Sequence, residues 1–475
     1  MKKVLLFLIF VAFSVGSGFA QGFQGSWNGT LNVGGTKLRL VFHIEEKGGA
    51  YTATMDSPDQ GVKGIPVTTV EVNDNVISLK IDNIAMAYAG TLTENTLTGT
   101  FTQRGFSTPL HMERGAAEET KRPQDPQPPY PYHAEDVSFE NKDAGITLAA
   151  TLTFPKEGTD FPAVVLISGS GSQNRNEEIP QLNHRPFLVL SDYLTRNGIA
   201  VLRYDDRGVA KSGGSYNTAT LDDFASDALS AVAYLKTRAE VNPGKVGLIG
   251  HSEGGTIAFL LAGAHPEIAY VVSMAGMAVN GDTLLRAQRY LLAHAQDVPD
   301  EAIALNEQLI EKTTAMIGRY PAAYVAAHTD FLTEQLWMTE KPLIAQLRAA
   351  SPDTLSDEAL RKKIKTGLLQ LSSPELRSLL QCDPSEALTK IQCPVFALNG
   401  EKDLQVPADM NLNHIKARVK SALKIKKYPG LNHLFQHAGT GTIEEYSTIE
   451  ETISPEVLDD IAVWILELGL MQNGG

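Results

Sequence analysis

The segment Gly250-His251-Ser252-Glu253-Gly254 constrains this chain more than any other, because of what stands on either side of it. Lys245-Val246-Gly247-Leu248-Ile249 before it is a strand-length apolar run, and Gly255-Thr256-Ile257-Ala258-Phe259-Leu260-Leu261 after it reads as helix. Strand, G-x-S-x-G turn and helix in that order predict a nucleophile elbow, a turn so sharp that Ser252 is held strained and exposed at its apex. Gly250 and Gly254 suit such a turn, since a Cβ on either side of the apex would strike neighbouring backbone. The new helix aims its free N–H groups at the centre the serine attacks, which favours a developing oxyanion.

A serine hydroxyl is a poor nucleophile near neutral pH; it needs a base, and the base an orienting acid. In a sheet of this kind the acid and the histidine follow the serine in that order. Val395-Phe396-Ala397-Leu398-Asn399-Gly400 is a strand ending at Glu401-Lys402-Asp403, and Pro429-Gly430-Leu431-Asn432-His433 is a loop after the next strand. His433 is the expected general base and acid, and Asp403 the residue that holds its tautomer. His437 is an alternative base, and Glu401 or Asp409 an alternative acid. His251 points away from the apex and reads as structural. Glu253 is expected to contribute its backbone N–H to the oxyanion hole. The second donor is placed at Ser170, within Ser168-Gly169-Ser170-Gly171-Ser172-Gln173, with Ser172 and Gln173 as alternatives. Asp205-Asp206-Arg207-Gly208 reads as a turn stabilised by its own charges, without chemistry.

At 475 residues the chain is too long for one simple core. A formal charge of −14 argues against nucleic acid and anionic membrane surfaces as partners, and leaves small substrates open. Lys2 and Lys3, the apolar run Val4 to Val15 and Gly18-Phe19-Ala20 predict a cleaved leader over residues 1–20, hence a periplasmic or secreted protein. No other stretch is apolar and long enough to span a bilayer. Export permits a bridge between the two cysteines, Cys382 and Cys393, and two unpaired thiols are the alternative. No metal-ligand spacing occurs, and no cofactor is called for.

Residues 21–114 show period-2 alternation, as in Thr36 to Ile44, Val76 to Ile81 and Leu97 to Phe101, and predict a small antiparallel barrel or sandwich. Residues 115–136 carry five prolines among charges and read as an extended linker. From residue 137 to 475, buried strands alternate with amphipathic helices, which predicts a mostly parallel sheet covered on both faces. Residues 282–384 are helical without a convincing strand, an insertion that leaves the sheet at a strand's C-terminal end and is expected to cap the site.

"LISGSGSQNRNE", "YDDRGVAKSGG", "GLIGHSEGG", "LNGEKDLQVP" and "GLNHLFQ" together resemble the matching segments of bacterial α/β-hydrolases of the serine aminopeptidase-like, cap-bearing group, and in particular carboxylesterases with an extra N-terminal domain. The resemblance covers residues 137–470 and implies Ser252, Asp403 and His433 as the triad, with Glu253 as an oxyanion donor. Two departures touch the oxyanion loop: Ser172 stands where proline is usual, and Asn174 and Asn176 where aspartates are usual. The expected activity is an exported carboxylesterase working through an acyl-enzyme on a small-molecule ester. The alternatives are a serine aminopeptidase or dipeptidyl-peptidase-like exopeptidase, and a non-catalytic binding protein that uses its β domain. The exopeptidase requires a carboxylate in the cap, or near Glu177 and Glu178, to hold the substrate ammonium. No acidic pair in the cap stands out in the sequence; Glu307 and Glu311 read as surface residues.

Overall fold

The computed structural model describes residues 22–33, 36–58, 62–115, 120–350 and 356–471, so the expected leader lies outside the described residues. The chain divides into two compact units, Met1–Glu118 and Glu119–Gly475.

In the first unit the strands are Gly25–Val33 (β1), Thr36–Lys47 (β2), Ala50–Ser57 (β3), Val62–Pro66 (β4), Thr69–Asn73 (β5), Val76–Ile81 (β6), Met86–Thr93 (β7), Thr96–Gln103 (β8) and Phe106–Arg114 (β9). They form one antiparallel sheet in the order β4-β3-β2-β1-β9-β8-β7-β6-β5, a half-barrel. Alternation gives it one wet face and one packed face. The packed side gathers Trp27, Phe42, Ile77, Leu79, Tyr88, Leu97 and Met112, all almost fully buried. The Trp27 indole N–H donates to the Phe23 carbonyl at 2.7 Å, so the ring is buried without an orphaned donor.

The second unit is built on His133–Asn141 (β10), Ile146–Phe154 (β11), Phe161–Ile167 (β12), Ala200–Tyr204 (β13), Val241–His251 (β14), Val271–Met274 (β15), Val395–Gly400 (β16) and Leu423–Tyr428 (β17). Their order is β10-β11-β13-β12-β14-β15-β16-β17; β11 runs antiparallel to both neighbours and the rest are parallel. Successive residues of the central strands pack to opposite faces: Ala163, Val165 and Ile167 on one side, Val164 and Leu166 on the other. Leu221–Leu235, Glu253–Ala264 and Ala408–Arg418 cover the first face, Pro186–Arg196 and Pro455–Met471 the second. This is the α/β-hydrolase fold that the sequence predicts.

One boundary differs from expectation. Strand β10 starts at His133, inside the segment read as linker, and forms the sheet edge. Asp136, Ser138 and Glu140 on its outward face, with His133 and Glu135 on the other, dilute the apolar alternation that would have marked it. The preceding residues are anchored rather than free. Arg122 donates to the Leu182 and Glu451 carbonyls (2.9 and 3.2 Å), Gln124 to Ile453 (2.7 Å), and the Tyr132 hydroxyl to Asp192 (2.8 Å).

Between β15 and β16 the chain forms eight helices among the described residues: Gly281–His294 (α4), Asp300–Ile317 (α5), Ala322–Ala327 (α6), Thr329–Thr339 (α7), Lys341–Ala350 (α8), Asp357–Ser372 (α9), Pro374–Gln381 (α10) and, beyond the insertion, Ser385–Lys390 (α11), with α1–α3 being Pro186–Arg196, Leu221–Leu235 and Glu253–Ala264. The insertion has a core of its own around Ile317, Val325, Leu332, Leu336 and Leu368. Cys382 and Cys393 are unbridged, and burial pushes both thiols up to about 11. Among the described residues no helix is long and apolar enough to cross a membrane.

Candidate active site

Strand β14 ends at His251 and α3 begins at Glu253, which leaves Ser252 alone at the turn with φ 52° and ψ −118°. A non-glycine residue there stores about 1–3 kcal/mol of strain, which the surrounding packing must hold. That packing is tight. A Cβ on Gly250 would lie 2.0 Å from the Gly254 carbonyl oxygen, and one on Gly254 would lie 2.1 Å from the Ile167 carbonyl oxygen. The Ser252 N–H donates to Met274 at 2.9 Å, tying the turn to β15.

Asp403 follows β16 and is buried. Its Oδ1 accepts the Gln405 and Val406 N–H groups at 2.8 Å each; Oδ2 accepts the Asn399 amide at 3.1 Å and the His433 Nδ1–H at 2.8 Å. The Oδ2 contact fixes the His433 proton on Nδ1, leaving Nε2 as an acceptor. The loop bearing His433 is held by Asn432, whose Oδ1 accepts the Leu434 and Gln436 N–H groups, both at 3.0 Å.

His251 links this pair to the elbow. Its Nε2–H donates to the His433 carbonyl at 3.1 Å and its Nδ1–H to Glu177 at 2.8 Å, with the two imidazole rings 4.8 Å apart. Both partners are acceptors, so the ring is an imidazolium. Burial alone would depress its pKa, but the Glu177 carboxylate and the two hydrogen bonds outweigh burial and raise it. The structure thus places His251 away from the Ser252 apex, where it ties the His433 loop to Glu177.

In the loop after β12, alternate amides are already engaged: Gly169 N–H by Glu177 (2.7 Å), Gly171 N–H by Glu375 (2.9 Å) and Gln173 N–H by Asp206 (2.9 Å). The Ser170 N–H between them has no partner among the described residues. Ser170, Ser252 and Glu253 line one narrow cavity of about 50 Å³, walled by Met277, Leu284, Leu379 and Val406. The alternatives from the sequence lie elsewhere in their hydrogen bonding. His437 is exposed and paired with Glu451 (2.9 Å), Glu401 accepts the Gly430 N–H (3.1 Å), and Asp409 pairs with Lys427 (2.9 Å). The Asn176 side chain accepts from Arg203, and the Asn174 amide donates to Glu178 at 2.8 Å.

The Asp205-Asp206-Arg207 turn is not stabilised by its own charges, as the sequence suggested. Asp205 takes Arg175 (2.7 Å), and Arg207 clamps Asp227 (2.7 and 2.8 Å) and Asp223 (2.6 Å). Asp206 instead braces the loop after β12, accepting the Ser168 hydroxyl and the Gln173 N–H at 2.9 Å each. Burial pushes it up to about 7, against those two hydrogen bonds.

Two carboxylates that the sequence did not bring together lie close to Ser252 and the loop after β12. Glu253, next to Ser252, is buried with its Oε2 unpartnered; burial, then Glu375 and Asp206, push it up to about 8. Glu375 belongs to α10, the last cap helix, and reaches the oxyanion loop through Gly171. Neither Glu307 nor Glu311 is available in this way, since Arg289 and Arg286 hold them.

A second row of the same residue types shows what residue identity alone does not supply. On the first unit's sheet, the Ser26 hydroxyl lies 2.9 Å from His43 Nδ1, and His43 Nε2 lies 2.9 Å from Asp56. Ser26 sits within an ordinary extended strand, not at a strained apex in front of a helix N-terminus.

A family model described as X-Pro dipeptidyl-peptidase (S15 family) matches residues 144–425. Esterase EstD of Thermotoga maritima is 25% identical over 340 residues, 71% of this chain and 70% of that protein. An acyl transferase of Shewanella woodyi is 29% identical over 164 residues, 34% of this chain and 50% of that one, so the chain spans about half of that relative. The structure of the Pyrococcus furiosus esterase Pf2001 is similar with a TM-score of 0.42 and 16% identity, covering 71% of this chain and 93% of that one.

Proposed function

The chain belongs to the X-Pro dipeptidyl-peptidase (S15) family, and on that premise we propose that it is a serine exopeptidase acting on short peptides with a free N-terminus. The coarser statement is not in question: this is a serine-hydrolase-type α/β-hydrolase, of a class that holds esterases and peptidases. The family match favours the exopeptidase over the carboxylesterase that the sequence motifs put first. The observation that carries the proposal is Glu375 of α10, which accepts the Gly171 N–H of the loop after β12 and adds its charge near Glu253. The sequence offered no cap carboxylate to hold a substrate ammonium, and Glu375 supplies one.

In this reading Ser252 Oγ attacks the scissile carbonyl while His433 Nε2 takes its proton, and Asp403 stabilises the imidazolium. The Glu253 and Ser170 N–H groups receive the oxyanion. Collapse breaks the C–N bond, and His433 gives its proton to the leaving amine. Water, activated by the same histidine, then releases the N-terminal fragment from Ser252. Glu375 and Glu253 hold the substrate ammonium through charge-assisted hydrogen bonds. Since Glu253 is held near 8, an arriving ammonium draws it into the ionised form and releases a proton to solvent. The protein is exported by the leader at residues 1–20.

A second reading, the carboxylesterase, is favoured by the narrow apolar walls around Ser252 and by the likeness to Esterase EstD. Release of an aryl amine from aminoacyl and dipeptidyl arylamides, compared with aryl acetates and butyrates, separates the two. Faster turnover of arylamides with a free amino group supports the exopeptidase. Turnover of esters alone returns the protein to the second reading.

A further inference from the structure

The cap holds a second cavity that shares no lining residue with the one at Ser252. Helices α4, α5, α8 and α9 enclose about 410 Å³, within the size range of small-molecule sites. Its walls are aliphatic, with Ile303, Leu309, Ile344 and Ile364 buried in them. Gly367 stands mid-helix in α9, a position that disfavours glycine, and a Cβ there would meet nothing within 4 Å. That side of the wall is open for lack of a side chain.

The polar groups around this apolar volume are biased to one sign. Arg289, Arg348 and Lys363 line it with a single acid, Glu307. Arg289 already neutralises that acid through Nε and Nη2, at 2.5 and 2.9 Å. Arg348 uses Nη2 on Asp357 at 2.6 Å, but its Nε–H is shielded from water and has no partner among the described residues. A buried guanidinium N–H left unsatisfied is unfavourable unless something accepts from it. One cation without an ion-pair partner among the described residues, Lys363, therefore remains to face a ligand beside the Arg348 Nε–H, in a chain whose formal charge is −14.

We propose that this cavity binds an amphipathic monoanion, a medium-chain fatty carboxylate, with its hydrocarbon tail among Ile303, Leu309, Ile344 and Ile364 and its carboxylate on Arg348 Nε–H and Lys363. The tail accounts for the aliphatic walls and the gap at Gly367. The head accounts for the orphaned donor and for Lys363 beside it. A neutral alcohol of the same length satisfies only the first pair of features, and a phosphorylated metabolite only the second.

The experiment is calorimetric titration of the full chain with dodecanoate and, separately, with dodecanol. One saturable dodecanoate site is expected, with dodecanol weaker by about tenfold or more, the loss of one charge-assisted contact. Gly367→Leu, which fills the cavity, should abolish the heat. Lys363→Glu, at an exposed position, should weaken binding by about tenfold or more without altering Tm or arylamide hydrolysis. It carries the test if the leucine variant does not fold. No dodecanoate binding overturns the proposal. So does equal binding of dodecanol, or binding that Lys363→Glu leaves unchanged, which would place the ligand elsewhere, including at Ser252.

Discussion

The Glu375 carboxylate accepts the Gly171 N–H at 2.9 Å across 204 residues of sequence, joining the last cap helix to the loop proposed to hold the oxyanion. One carboxylate thereby orders an amide beside Ser170 and adds negative charge beside Glu253. Glu375→Gln keeps the shape and a hydrogen-bond acceptor but removes the charge. Free-amine arylamides should lose about tenfold to a hundredfold in kcat/KM, mostly through KM, while N-acetylated arylamides and aryl esters change little. An equal loss on all three substrates would mean that Glu375 only shapes the loop.

Glu177 and His251 form a buried ion pair, 2.8 Å apart, that also holds the Gly169 N–H and the His433 carbonyl. Glu177→Gln leaves an uncompensated imidazolium and should cost about 3–5 kcal/mol of stability. The sign of the pH dependence follows from the raised His251 pKa. The pair's contribution is complete below the unfolded imidazole's ordinary 6.5 and is lost as pH rises through the higher folded value. The gap in Tm between wild type and Glu177→Gln should therefore be wide near about pH 6 and narrow near about pH 9. A gap that is flat with pH would mean that His251 is neutral.

Glu253 titrates the other way from an ordinary surface glutamate. Held near 8 against an ordinary 4.5, it keeps its proton in the folded chain while the unfolded chain gives its own up. Its contribution is complete below 4.5 and is lost as pH rises to 8, at up to about 1.4 kcal/mol per pH unit. Glu253→Gln, neutral at every pH, should gain stability over wild type steadily across that window. Denaturant midpoints measured at intervals from acid to mildly alkaline pH give the comparison. Parallel curves would show that the carboxyl is ionised at an ordinary pKa.

The anchored segment before β10 sets where the chain can be cut. A chain beginning at Thr120 keeps Arg122, Gln124 and Asp125, and should fold and hydrolyse a small activated substrate. One beginning at Val137 loses those anchors and four residues of the sheet edge, and it leaves Arg185 without Asp125, its partner at 3.0 Å. It should melt several degrees lower and aggregate through the exposed β11 edge. Equal Tm for the two truncations would contradict this.

What the sequence disclosed follows the range of the interactions involved. The Ser252 turn is local: strand, two glycines that must lack a Cβ, and helix lie within about a dozen residues, so it was legible at once. Asp403 and His433 were legible through chain order, since a parallel sheet puts successive strand ends on one edge. Strand β10 escaped because an edge strand has one solvated face and carries charges there. Asp206 and Glu375 escaped for a different reason. Nothing local to either says which amide it will reach, and the Gly171 and Gln173 N–H groups find their acceptors only after the sheet and the cap have closed.

The most direct test of the central claim compares one dipeptidyl arylamide with a free amino group and the same compound N-acetylated, on wild type and on Ser252→Ala. Enzyme concentration and pH are equal throughout, and the pH is near neutral so that the substrate amine is charged. The account predicts that the free-amine compound is cleaved by wild type at least about tenfold faster in kcat/KM than the acetylated one. It also predicts that Ser252→Ala loses several orders of magnitude on both while keeping its Tm. Equal rates on the two compounds, or turnover that survives in Ser252→Ala, would contradict it.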